Sequence, residues 1–131
     1  MSEERFHHAI ERIDAANAED PHGKELQYGQ RMSTTLVCHE PNASEALRLA
    51  ARAQHIRRWM IPRDNYPRDR KGYHLWRTEL YGYHADQAEA ILRDVGYDDE
   101  TIARVRDLLM KKRIKSDPDM QILEDVICLV F

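Results

Sequence analysis

The chain has 131 residues, of which 42% are hydrophobic and 33% charged, with a formal net charge of −3 at pH 7. That length gives room for one core, so residues 1–131 are read as a single helical domain, and the negative balance argues against nucleic-acid binding over the whole surface, leaving room only for a local basic patch. No run is apolar enough to span a bilayer and the polar N-terminus has no secretory pattern, which excludes a membrane partner.

Two cysteines, Cys38 and Cys128, lie in unlike settings and form no metal-type pair, which points to a reducing, cytoplasmic setting. Cys128 sits in an apolar run and is expected to be a small buried hydrophobe.

The spacing of Phe6, Ala9, Ile10 and Ile13 predicts a first helix over 3–18. His7 and His8 are adjacent, point in different directions and read as surface residues. A turn follows at 20–23, Asp-Pro-His-Gly. Leu26, Met32, Leu36 and Val37 predict a second helix over 24–38, and a linker over 39–42 separates it from the third. Ser44 is an N-cap for the third helix, rich in Ala, Leu and Arg, which is expected to run until Pro62 stops it. Apolar residues on two of its faces make it central to the bundle.

After Pro62 the chain is expected to be irregular as far as Gly72. Two helices are then predicted, over 73–83 and 84–95, with Gly96 as the C-cap of the second. Asp98 or Asp99 caps the next, which carries Ile102, Val105, Leu108 and Leu109 and a basic tail of Lys111, Lys112 and Arg113. Asp117 and Pro118 give a strong start signal for a last helix. From Ile122 onward it is apolar all round except for Glu124 and Asp125, so it is expected to be buried and central too. The chain ends inside that run, on Val130 and Phe131.

The chemistry-bearing stretch is 54–76. Gln54, His55, Arg57 and Arg58 crowd the end of the third helix, and Arg63, Tyr66, Arg68, Arg70, Tyr73 and Trp76 follow. Arginines interleaved with aromatics suit an anionic, planar or phosphorylated ligand. A second set, Gln54, His55, His84, Lys111, Glu124 and Asp125, is spread over four predicted helices. Two accounts of it stand. In one, each histidine is a hydrogen-bonded core residue with Asp125 as partner. In the other, two histidines and a carboxylate make an open metal site. A carboxylate in the last helix needs a partner either way, so Asp125 is expected to approach His55 and His84.

The sequence is similar to the family catalogued as domain of unknown function 4202. The matching residues are Leu26-Gln27-Tyr28 with Arg31-Met32, the run 50–59, Pro62-Arg63, Tyr66-Pro67, Gly72-Tyr73, Trp76-Arg77, His84-Ala85 and the run 121–126. The resemblance implies members that continue beyond Phe131. That family in turn looks like a divergent relative of the HD-domain metal-dependent phosphohydrolases. Tyr28 stands where their first His would be, and Gln54-His55 where their His-Asp pair would be. His84 matches a later His, Lys111 falls near another, and Asp125 matches the final Asp.

What the resemblance implies is an all-α, compact, HD-domain-like helical bundle. His55, His84 and Asp125 would hold one divalent ion, Fe, Mn or Zn, and lower the pKa of a bound water. Glu124 and Lys111 would serve the catalysis, Glu124 by orienting a histidine. The ligand would be an anionic small molecule, a phosphorylated compound or nucleotide, contacted by Tyr28, Gln54, Arg57, Arg58, Arg63 and Arg70 and stacked on Tyr66 or Trp76. The alternative is a metal-free module that binds an anionic or phosphorylated ligand, or a scaffold whose polar residues form a structural network.

Overall fold

The computed structural model describes residues 2–112 and 116–130; Arg113 and Phe131 lie outside them. Among the described residues there are six α-helices and no strand: α1 (Ser2–Asn17), α2 (Glu25–His39), α3 (Glu45–Arg52), α4 (Arg70–Val95), α5 (Asp99–Leu109) and α6 (Pro118–Val130). Two short 3-10 turns, Arg58–Met60 and Arg63–Asn65, occupy the stretch between α3 and α4. The fold is all-α, and no described helix is long and apolar enough to cross a membrane.

Side-chain caps set most of the boundaries. Ser44 Oγ accepts from the Leu47 amide at 3.1 Å, Asp69 from Gly72 at 2.7 Å and Asp98 from Thr101 at 2.9 Å, each satisfying a donor that the first turn leaves open. At α2 the cap comes from further back: the Asp20 carboxylate accepts from the amides of His22, Lys24 and Glu25. Gly96 ends α4 in the left-handed region at φ 103°, and the amides of Gly96 and Tyr97 return to the Leu92 carbonyl.

α3 is short but central. It packs on α1, α2, α5 and α6, and Leu47, Leu49, Ala50 and Ala51 are fully buried. Each leucine of that set contributes about 2 kcal/mol by leaving water. Small residues let neighbours approach: a Cβ on Gly29 of α2 would sit 3.0 Å from the Arg52 carbonyl oxygen. A bidentate pair, Arg52 to Asp14 at 2.8 and 2.7 Å, fixes the end of α3 to α1. α4 and α5 form a hairpin about Gly96, laced by Arg106 to Asp86 and Glu89.

Four expectations change. The third helix does not reach Pro62. It stops at Arg52, and the chain continues through tight turns in which the amides of Gln54, Ile56 and Arg58 each reach back three residues. Arg57 adopts φ 52°, with its amide held by Asn17 Oδ1 at 3.1 Å, and no α-helix continues through that conformation. The helices predicted over 73–83 and 84–95 are one helix: Asp69 supplies a cap four residues before the predicted start, and nothing interrupts the ladder at Gly82. α6 is buried on one face only: Met120, Leu123 and Val126 are covered, while Leu129 is 61% exposed. Cys128 is likewise exposed rather than buried, because α6 packs through a single stripe, chiefly against α2.

Candidate functional site

The early end of α3 has a chemical consequence. It turns Gln54, His55 and Arg58 toward a cavity of about 320 Å³, closed by α4, the turn after α5, and α6. The first wall is built on His55. Its Nδ1 lies 3.1 Å from Glu25 Oε1 and its Nε2 lies 2.6 Å from Arg58 Nη1. A guanidinium only donates, so Nε2 must accept, and the ring proton must be on Nδ1, donated to Glu25. His55 is therefore neutral in this arrangement. Burial pushes its pKa down, with the cations of Arg58 and Lys111 adding to the effect and Glu25 opposing it. The Tyr28 ring lies flat on the imidazole, centroids 3.8 Å apart and planes 10° apart. Burial also raises the Tyr28 phenol to about 12, so it stays protonated at neutral pH.

The second wall is one face of α4. Tyr73, Arg77, Tyr81 and His84 follow the i, i+4, i+8, i+11 spacing that stacks side chains along one stripe. Arg77 donates to the Tyr73 hydroxyl at 2.5 Å and to the Tyr81 hydroxyl at 2.6 Å. Each phenol oxygen accepts, so each keeps its own hydrogen for another acceptor, polarised by the guanidinium behind it. His84 lies at the base of the stripe and is 3% exposed. Its Nε2 is buried without a hydrogen-bond partner among the described residues. Burial holds its pKa well below the usual histidine range, and His55, Arg58 and Lys111 push the same way. The two imidazole centroids are 6.3 Å apart.

Lys111 closes the third side. It follows α5 in the left-handed conformation, φ 61°, which brings its side chain back under the helix. Its Nζ is 3.2 Å from Gln54 Oε1 and 3.1 Å from Glu124 Oε2. Burial lowers its pKa, against the pull of Glu124. The walls thus bring three cations, Arg58, Arg77 and Lys111, together with two carboxylates, Glu25 and Glu124, and two neutral imidazoles.

Of the residues expected from the sequence, Gln54, His55, Arg58, His84, Lys111 and Glu124 line this cavity, and Tyr28 backs it through His55. Asp125 does not join them. It lies 45% exposed on another face of α6, with Oδ2 3.6 Å from His39 Nε2 and Oδ1 accepting from Gln121 at 2.9 Å. Neighbours on a helix point about 100° apart, so turning Glu124 inward turns Asp125 out. Arg57 pairs with Glu19 at the rim of α1, and Arg70 stands exposed at the start of α4. Arg63 is occupied as a strut, donating to the carbonyls of Tyr66 and Pro67 at 3.3 and 2.9 Å. It also lies over the Trp76 ring, as does Arg58, while Trp76 Nε1 donates to the Ile61 carbonyl at 2.8 Å. Tyr66 is half-buried outside the cavity.

Glu25, Arg77 and Tyr81 went unread in the sequence, although the four-residue spacing of Tyr73, Arg77 and Tyr81 falls within the helix predicted over 73–83; dividing the helix at residue 83 separated that stripe from His84. A metal set does not fit the residues present. Both nitrogens of His55 are engaged, Asp125 faces elsewhere, and among the described residues no three His, Cys, Asp or Glu side chains converge on one point.

The fold and the cavity define a helical domain with a buried, cation-rich pocket. The model of a domain of unknown function, DUF4202, matches residues 7–131, and the chain belongs to that family. No curated protein and no solved structure matches the chain.

Proposed function

We propose that the domain binds a small anionic ligand, a phosphate ester or carboxylate, in the cavity between α3, α4 and α6, and does so without a metal. The observation that carries this reading is the convergence of Arg58, Arg77 and Lys111 on one enclosed space whose base holds a buried imidazole nitrogen with no partner among the described residues. Cations are costly to bury, and three of them facing two carboxylates leave a positive remainder that an anion would compensate. The hydroxyls of Tyr73 and Tyr81, each already accepting from Arg77, supply donors in the geometry that suits phosphate oxygens.

The HD-domain resemblance is consistent with this. Of the positions it singles out, Tyr28, Gln54, His55, His84 and Lys111 gather round one cavity, while Asp125 lies outside it. The residue types there have changed from metal donors to cations and neutral donors. Among the described residues no three His, Cys, Asp or Glu side chains gather to hold a metal that would activate a water.

The test is titration calorimetry with inorganic phosphate and with sulfate, at fixed ionic strength, alongside thermal melts. Binding of either anion should raise the melting temperature in proportion to the logarithm of its concentration above Kd. Arg77→Gln should weaken phosphate by at least about tenfold, the worth of one charge-assisted contact. An Arg77→Gln protein that binds phosphate as tightly as the parent would defeat the proposal.

A further inference from the structure

A second concavity, of about 460 Å³, opens on the other side of the His55–Arg58 pair. It shares both of those residues with the inner cavity and is otherwise lined by one face of α2. On that face Lys24, Gln27, Tyr28 and Arg31 follow helical spacing, so the two cations stand about 10 Å apart along the axis. The local carboxylate, Glu25, accepts from His55 and is turned to that wall. Lys24 and Arg31 are exposed, and neither has an ion-pair partner among the described residues. The region between the two spaces is the flat Tyr28–His55 stack with the Arg58 guanidinium at its edge.

Building on the anion-binding reading above, we propose that the ligand carries two anionic groups. One sits among Arg58, Arg77 and Lys111; the other sits on the Lys24–Arg31 face of α2; the portion linking them crosses the Tyr28–His55 stack. A ligand with one charge and a neutral tail would leave both α2 cations uncompensated and would gain nothing from Arg31. A two-ended anion compensates them, and Arg58, common to both spaces, serves both ends. The second group is then an intramolecular ligand for its subsite, which raises affinity beyond either end alone. The chemical class is a bisphosphate, or a phosphate ester bearing a carboxylate.

The experiment titrates the full chain with α,ω-alkanediol bisphosphates of increasing length and with the matching monophosphates, at constant ionic strength. The readout is the ratio of the two affinities at each length. At one length the bisphosphate should bind about tenfold or more tighter than its monophosphate. The Lys24→Ala/Arg31→Ala double variant, altered only at exposed unpaired side chains, should bring that ratio to about two, the statistical value for two equivalent ends. A ratio near two at every length, in a protein that does bind the monophosphates, overturns the two-ended ligand and leaves the single-anion reading standing. A large ratio that survives the double variant overturns the assignment to Lys24 and Arg31. Failure of every compound, monophosphates included, overturns both readings.

Discussion

Acid should destabilise this fold through a buried histidine before it touches any carboxylate. His84 is held neutral, its pKa driven well down chiefly by burial, with the charges of His55, Arg58 and Lys111 adding to it. In the unfolded chain it titrates near 6.5. As pH falls through that value the unfolded state takes up a proton that the folded state refuses, so stability is intact above about 6.5 and lost below it, until the folded value is reached. For one such group the loss is about 1.4 kcal/mol between about pH 7.5 and about pH 5.5. His55, also lowered by burial but supported by Glu25, adds a smaller part. The carboxyl of Asp117, held below the usual range by Arg104, loses its contribution only at more acid pH, so the two windows separate. Urea unfolding followed by circular dichroism at a series of pH values reads the slope directly. His84→Gln keeps a neutral polar side chain and should remove about 1.4 kcal/mol of the acid loss. Parallel pH profiles for parent and variant would refute the claim that His84 is buried uncharged.

Gly72→Ala would put a Cβ 2.0 Å from the Pro67 carbonyl oxygen, so the start of α4 must shift, at about 1–3 kcal/mol read as a lower urea midpoint. Asp117→Ala removes both the bidentate partner of Arg104 and the acceptor of the Asp119 amide, and should cost about 2 kcal/mol in the same assay. Glu124→Gln takes a negative charge out of the cavity wall and should tighten phosphate binding by roughly fivefold, about 1 kcal/mol, in calorimetry. Asp125→Asn, on the outer face of α6, should leave that phosphate affinity where it was; a large loss would return Asp125 to the site.

The helical class and the caps were legible because they depend on local rules. Ser44, Asp98, Gly96 and Pro118 each act within one turn of where they stand, and each does in the structure what its residue type predicts. The cavity was half legible. Gln54, His55, His84, Lys111 and Glu124 could be named as a set because polar residues at the ends of apolar runs need partners. Which carboxylate turns inward could not be read, since Glu124 and Asp125 are adjacent and the rotation of α6 is set by its contact with α2. Arginines misled for a related reason: Arg57, Arg58 and Arg63 look alike in sequence, yet one pairs with Glu19 just after α1, one enters the cavity and one braces carbonyls. Arg77 was passed over although it is the residue most thoroughly engaged with the tyrosines.

Among the described residues the two non-glycine residues at positive φ are Arg57, which precedes the cavity-lining Arg58, and Lys111, which lines the cavity. A left-handed conformation costs a side-chain-bearing residue about 1 kcal/mol that glycine would avoid. Arg57 takes that conformation at the point where the chain leaves the turn after α3, which aims the next residue, Arg58, at His55 and Trp76. Lys111 takes it where α5 has just ended, which folds its ammonium under Gln54 and Glu124. Strain of this kind persists where surrounding contacts over-determine it: the Asn17 side chain holds the Arg57 amide, and Gln54 and Glu124 hold the Lys111 ammonium. The two left-handed residues thus follow the ends of α3 and α5 and stand beside or within the cavity wall, to which Arg58 and Lys111 supply two of its three cations.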